Sequence, residues 1–224
     1  MEDVRTNVAF QPWIGDAFQE GIRGQRILVL GESHYHRCDE DAACRNENDN
    51  ARKTMHENMT RGVVQWWKDN AHPSPLSYRV PKLFNIEKSE FWTRVAFYNY
   101  LQSFAGPAAR CRPSEEQWGD LTNAQGFQEI LDQLNPNRIL VLGKKLWSNL
   151  PSKTPPLARQ PQQETGLRVS NDVRSYHEVD HFCYWYWSKS GHKGLAMPIM
   201  HPSASRFSAE EWTEPIVRWL SFSK

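Results

Sequence analysis

The chain has 224 residues, 39% of them hydrophobic and 24% charged, which suits a single globular domain over residues 1–224 with a sizeable core. Its formal net charge of +1 gives no argument for or against a nucleic acid partner. The sequence has no run of about 18 apolar residues, and residues 1–10 are polar. We therefore expect neither a membrane span nor a secretory signal, and we predict a cytoplasmic protein.

The first half of the chain contains two predicted strands. Residues 26–31 (RILVLG) form a short apolar run that ends at a glycine, which indicates a buried strand. Residues 37–58 are strongly polar and charged, so we predict a surface loop there. The apolar run at residues 95–98 (VAFY) predicts a second strand ending at Asn99, and an amphipathic helix over residues 90–104 remains the alternative.

A helix and a further strand are predicted next. Residues 123–134 place apolar side chains at helical spacing, with Asn123 as the N-cap. This helix leads into residues 138–143, a second RILVLG run and therefore a second buried strand of the same kind. Residues 151–166 are rich in proline and glutamine and are interpreted as a surface loop.

The last part of the chain predicts a strand hairpin and a terminal helix. Residues 182–187 (FCYWYW) and 195–200 (LAMPIM) are apolar runs joined by a Ser-Gly turn. Strands that alternate with helical segments indicate an α/β fold, here a three-layer α/β/α sandwich with a central, mostly parallel sheet. Ligands of such folds bind beyond the carboxyl ends of the strands, so the loops that follow them should converge on one cleft.

Three of those strand-end loops resemble the motifs of a known family. The first strand runs into residues 31–36 (GESHYH), the strand at 95–98 ends in Asn99, and the last strand runs into residues 201–203 (HPS). In order and context they resemble the Gly-Gln-Asp-Pro-Tyr-His, Asn and His-Pro-Ser motifs of the uracil-DNA glycosylase superfamily. The resemblance covers residues 27–208. It implies a monomeric DNA glycosylase, free of metal and cofactor, that removes a flipped uracil or modified pyrimidine from DNA.

A second His-Pro-Ser sequence occurs at residues 71–77 (AHPSPLS). It follows a polar segment rather than a strand, and it precedes Asn99, whereas His201 follows an apolar run and comes last. We therefore assign the motif to His201 and interpret His72 as part of a proline-rich surface turn.

The resemblance implies a role for each matching side chain. Asn99 pairs with the edge of a flipped base, because an amide offers a donor and an acceptor side by side. His201 donates a hydrogen bond to the departing base, where negative charge gathers. Tyr35 forms a wall of the pocket, and Phe97 or Tyr98 stacks on the base. The other predicted substrate-binding residues are Gly31, His36 and Ser203.

The catalytic position of the first motif departs from the family pattern. Ser33 occupies the place of the water-activating aspartate, so Glu32 or His34 is expected to act as the general base or as the electrostatic partner of the sugar cation. The residues directly after the third motif match the segment that related enzymes insert as a wedge into the DNA duplex. The residues predicted to contact DNA there are Ser205, Arg206 and Phe207.

Two other functions stay open. A protein of the same fold without the aspartate can serve as an inactive module that binds DNA or another protein. Ser33 beside His34 also suggests a serine hydrolase, although Tyr35 stands where the nucleophile elbow needs its second glycine. Binding of DNA phosphates would weaken steeply with salt, which separates DNA from protein partners.

We predict no metal site and no cofactor. The four cysteines contain no C-x-x-C pair, which favours reduced thiols in a cytoplasmic protein. They are Cys38, Cys44, Cys111 and Cys183. His34 and His36 lack the tight, repeated spacing of zinc sites. His177 and His181 have neighbours that do not form a helix face, so a solvated turn is favoured there.

Overall fold

The chain folds around one seven-stranded sheet, seen in a computed structural model. The structure describes residues 7–36, 49–71, 73–108, 111–151, 169–175 and 180–222. The strands are β1 (Trp13–Ile14), β2 (Ile27–Gly31), β3 (Val95–Asn99), β4 (Arg138–Leu142), β5 (Val169–Ser175), β6 (Asp180–Trp187) and β7 (Lys193–Ile199). Their spatial order is β1-β3-β2-β4-β7-β6-β5.

The four central strands β3, β2, β4 and β7 are parallel, while β1, β6 and β5 are added antiparallel at the two sides. Every residue of β2, β3 and β4 is buried. Parallel strands covered on both faces lose contact with water on both faces, which explains why these segments are continuous apolar runs.

Helices cover both faces of the sheet. Those that pack on one face are α1 (Asp49–Asp69), α2 (Pro75–Leu83), α3 (Lys88–Arg94) and α7 (Ala209–Ser221). Those on the other face are α4 (Glu115–Gly119), α5 (Leu121–Leu134) and α6 (Lys144–Asn149). Successive strand residues point to opposite faces, so Val29 lies in the first core cluster and Leu28 in the second.

The predictions for the strands are confirmed, including the strand at residues 95–99 and the hairpin formed by β6 and β7. The α/β class with helices on both faces and parallel central strands is confirmed as well. The terminal helix is α7. None of the helices among the described residues is long and apolar enough to cross a membrane.

Two predicted boundaries are wrong. Residues 49–58 of the predicted loop form the first half of α1, whose core side chains Val64 and Trp67 come only in its second half, so the sequence before them lacks an apolar signal. The helix α5 is capped by Asp120, whose side chain accepts a hydrogen bond from the amide of Thr122 (2.9 Å). Asn123 instead donates its side-chain amide to the carbonyl of Gln117 (2.8 Å). Asp and Asn are both good caps, so the sequence alone does not choose between them.

Three other predictions concern residues 71–77, residues 151–166 and the pair of histidines at 177 and 181. The His-Pro-Ser segment at residues 71–77 contains the start of α2, because Ser74 is its N-cap and Pro75 its first residue, while His72 lies outside the described residues. The predicted loop at residues 151–166 lies outside them beyond residue 151. His177 lies outside them too, whereas His181 belongs to β6 rather than to a turn.

Candidate functional site

The carboxyl ends of the four parallel strands meet at one edge of the sheet. Gly31 at the end of β2 lies directly beside Asn99 at the end of β3. Gly143 follows β4, and its amide donates a hydrogen bond to the carbonyl of Ile199 at the end of β7 (2.9 Å), two residues before His201. Neighbouring strands are about 4.8 Å apart, so β3 and β7 are roughly 14 Å apart. Asn99 and His201 therefore follow the two outer strands of the parallel set, at the same edge of the sheet.

The Asn99 side chain crosses above Gly31. A Cβ atom placed on Gly31 would lie 2.1 Å from the Asn99 amide oxygen and 3.0 Å from the Phe97 ring. Only glycine therefore leaves room for the amide at this position. Asn99 is 5% exposed, and its side-chain amide makes no hydrogen bond to another residue in the described part of the chain. An amide at a strand end that makes no hydrogen bond to the described residues keeps its donor and its acceptor for a ligand.

The loop after β2 is held by backbone pairing beyond the end of β3. The amide of Tyr100 donates to the carbonyl of Gly31 (3.0 Å). Further along, the amide of His36 donates to the carbonyl of Gly106 (3.0 Å). These bonds extend the ladder past both strands and fix the backbone of residues 31–36, so the side chains of this loop project from a rigid frame.

His34 packs in the interior, a position that does not support its predicted role as general base or sugar-cation partner. Its side chain is 5% exposed, its ring centre is 4.8 Å from that of Phe10, and its Nε2 lies 2.9 Å from the Thr60 hydroxyl. Burial, together with repulsion from His56, lowers the pKa of His34 from 6.5 to about 4. A buried imidazole with such a low pKa is poorly suited to accept a proton from a water molecule.

Glu32 and His201 share one electrostatic environment at the sheet edge. Burial raises the pKa of the Glu32 carboxyl, and the positive charges of Arg112 and Lys145 oppose that shift. Burial also lowers the pKa of His201, and Arg112 lowers it further. The same guanidinium thus favours the ionised carboxylate of Glu32 and the neutral imidazole of His201.

Hydrogen bonding within the 201–204 turn defines which nitrogen of His201 carries the proton. The amide of Ser203 donates to Nδ1 of His201 (3.1 Å), so Nδ1 acts as an acceptor. In the neutral ring the proton is then on Nε2. The ring also lies against Gly143, where a Cβ atom would be 3.4 Å from the His201 Cβ and the backbone φ is +106°. His201 therefore offers one N–H donor at the site.

Tyr98 and Phe207 are placed in the core, and the roles predicted for them are wrong. Tyr98 is fully buried on the face of the sheet opposite to Asn99, because strand residues alternate, so it cannot stack on a base bound by that amide. Phe207 is 8% exposed and packs in the core cluster of the first face, so it is not available as a wedge. Phe97 contacts Trp67 and Trp92 and forms the floor under Gly31 rather than an open stacking surface.

The remaining predicted residues lie at the same edge. Tyr35 and His36 are half-buried, and Ser203, Ser205 and Arg206 are exposed. The Ser33 hydroxyl is buried and has no hydrogen-bond partner among the residues that the structure describes. A serine nucleophile needs a base within hydrogen-bond reach, so this geometry gives no support to the serine hydrolase alternative.

Several residues of the site escaped the sequence analysis. Lys145 carried a signal, because it closely follows the strand-end glycine at 143, much as Glu32 follows Gly31. Arg112 carried none, since its place near Glu32 and His201 depends on the path of the loop after β3. Arg79 in α2 also reaches this edge through the carbonyl of Pro202 (2.8 Å).

Compared with the profiles of known protein families and with characterised proteins, the chain gives no match. Within the described residues, no group of three or more His, Cys, Asp or Glu side chains is arranged so that it could hold a metal ion. The functional assignment therefore depends on the site geometry and on the resemblance of the three strand-end motifs.

Proposed function

We propose that this chain is a DNA glycosylase-like enzyme of the uracil-DNA glycosylase superfamily, which hydrolyses the N-glycosidic bond of a flipped uracil or modified pyrimidine. The observation that carries the proposal is the buried side-chain amide of Asn99, which lies above Gly31 and has no partner in the described part of the chain. It stands at the same sheet edge as the Nε2–H donor of His201. The two groups match the needs of base recognition and of leaving-group stabilisation.

Asn99 supplies recognition. A flipped base has to exchange the hydrogen bonds of its partner strand for bonds to the protein. The amide presents one acceptor and one donor group to a base edge with the complementary pattern, and its position in a sheet fixes their direction. The dense packing around Phe97 and Gly31 holds the amide in place before the base arrives.

His201 supplies stabilisation of the leaving group. As the N-glycosidic bond breaks, negative charge accumulates on the base, and a donor already aimed at the base oxygen lowers the barrier. A neutral imidazole suits this role because its proton is on Nε2 and Nδ1 is occupied by the Ser203 amide. Removing one such donor typically costs about 2.7–4 kcal/mol of transition-state stabilisation.

Glu32 is the remaining candidate for the charge that the family aspartate supplies, since Ser33 is neutral and His34 is enclosed in the core. As a carboxylate it can orient or deprotonate water and can stabilise the positive sugar. Arg112 and Lys145 favour its ionised form against the effect of burial, which raises its pKa.

DNA as the partner is supported by the cations at this edge. Arg112, Lys144, Lys145 and Arg206 are exposed, and they belong to segments that follow three of the four parallel strands. Phosphate contacts from lysine and arginine provide most of the sequence-independent affinity for DNA. The overall charge is close to neutral, so the positive field is local to the site.

The test is alkaline strand cleavage of labelled oligonucleotides that carry uracil or a damaged or modified pyrimidine. We expect base release by the wild type and a loss of about 100-fold or more in Asn99→Ala and His201→Ala. His192→Ala is the matched control, because His192 is a second half-buried histidine that contacts the carbonyl of Pro136 (3.1 Å) away from the site. Equal activity of all four proteins would refute the assignment of the site.

The neutral hydroxyl of Ser33 favours one alternative, a DNA-binding module without catalysis. Such a module would release no base from any substrate but would retain DNA at low salt. A binding isotherm measured over a salt series distinguishes it from a protein that never contacts phosphates, since each phosphate contact steepens the salt dependence.

A further inference from the structure

We infer that Arg79 is a positioning residue for His201, which holds the 201–204 turn so that Ser203 can bond Nδ1 and the ring presents Nε2–H to the site. This inference extends the proposed function and depends on it for its catalytic meaning. Arg79 lies outside the three motifs of the family resemblance, in the middle of α2.

The Arg79 guanidinium contacts the backbone carbonyls on both sides of Ser203. Nη1 donates to the carbonyl of Pro202 (2.8 Å) and also approaches that of Ala204 (3.4 Å). Ser203 lies between these two carbonyls, and its amide makes the bond to Nδ1 of His201. The turn is closed by the amide of Ala204, which donates to the carbonyl of His201 (2.9 Å).

The helix that carries Arg79 is well anchored. Ser74 caps its N-terminus, and Val80 and Leu83 are fully buried in the core cluster of that face of the sheet. Arg79 is half-buried, and a single nitrogen of its guanidinium, Nη1, makes both contacts to the turn. A lysine ammonium sits on a shorter and more flexible side chain, so it does not hold a donor in the same place.

Without the guanidinium, the turn loses the bonds that fix the direction of the Ser203 amide. The proton of a neutral imidazole then distributes between its two nitrogens, because nothing occupies Nδ1. A fraction of the molecules would no longer present a donor at Nε2. If His201 acts on the leaving base, kcat falls roughly 10-fold to 100-fold, since small misplacements of a catalytic group have effects of that size. KM for the oligonucleotide should change little, because Arg79 does not lie among the exposed cations.

The experiment is a 15N NMR titration of the histidine rings in the wild type, Arg79→Met and Arg79→Lys, with thermal unfolding to show that each is folded. We expect His201 to be protonated at Nε2 in the wild type and to become a mixture of tautomers in Arg79→Met. Arg79→Lys keeps the positive charge on a shorter side chain, so a tautomer shift there separates positioning from charge. Arg206→Met is the control, because Arg206 is an exposed arginine of the same loop.

The inference is overturned if a folded Arg79→Met keeps the wild-type tautomer of His201. If Arg79→Met does not fold, Arg79→Lys carries the same test, and a wild-type tautomer in that variant overturns the inference. A tautomer shift supports positioning by Arg79 even if no base is released by the wild type. Absence of base release counts against the proposed function, so the two can fail separately.

Discussion

The enclosed position of His34 leads to a quantitative prediction for stability. The folded protein binds a proton at His34 only near pH 4, whereas the unfolded chain binds it near pH 6.5. A depressed pKa of a basic group means that the unfolded state takes up the proton first as the pH falls. The free energy of unfolding therefore decreases between these two pH values, and the contribution is complete above them and lost below.

The magnitude follows from the size of the shift. Each pKa unit corresponds to about 1.4 kcal/mol, so this group alone lowers the free energy of unfolding by about 2 kcal/mol at pH 5 and about 3 kcal/mol at pH 4, relative to neutral pH. His34→Gln removes the titrating ring but keeps a polar side chain near Thr60. The variant should be less stable than the wild type at neutral pH, because it loses the contact with Phe10, yet less sensitive to acid.

The assay is urea unfolding of both proteins at a series of pH values, followed by tryptophan fluorescence. The gap between the two stabilities should shrink by about 3 kcal/mol from neutral pH to pH 4. The difference between proteins cancels the other titrating groups of the chain. Two curves that stay parallel over this range would refute the argument, since they would show that His34 titrates alike in the folded and unfolded states.

Three more outcomes are expected. Gly31→Ala should destabilise the fold by about 1–3 kcal/mol and abolish base release, because its Cβ collides with the Asn99 amide; unchanged kinetics would contradict this. Phe207→Ala should cost roughly 3–5 kcal/mol in chemical unfolding, as a core residue does, whereas a near-neutral effect would restore it as a wedge. Arg112→Gln should raise the pKa of His201 in an NMR titration, and an unchanged pKa would show that the two do not interact.

The strands could be predicted because the sequences of buried parallel strands are short, continuous runs of apolar residues. Residues 26–31, 95–99 and 138–143 all follow that rule. The carboxyl ends of parallel strands meet at one edge of a sheet, so the amino-acid sequence alone is enough to predict that Gly31 and Asn99 share that edge.

The direction of side chains was harder to predict. Phe97 and Tyr98 are adjacent in one strand and point to opposite faces, so the correct choice requires knowledge of which face holds the Asn99 amide. Phe207 is aromatic and follows the third motif, which suits a wedge as well as a core residue, and only the packing of α7 decides between them.

The position of distant elements was not predictable at all. Arg79 and Arg112 reach the site from a helix and a loop whose paths depend on tertiary packing. The polar first half of α1 likewise has no apolar periodicity of its own, and it is helical because the later turns are fixed against the core at Val64 and Trp67.

The crossing of Asn99 above Gly31 links two positions that lie far apart in the chain. A protein that keeps the Asn99 amide cannot accept a side chain at position 31, because the two would collide. A protein without that amide can accept one. A side chain at position 31 and the amide at position 99 should therefore exclude each other: relatives with alanine or serine at 31 should lack the asparagine at 99. The residues at positions 31 and 99 can therefore be used to separate relatives that keep the amide from relatives that have lost it, from their sequences alone.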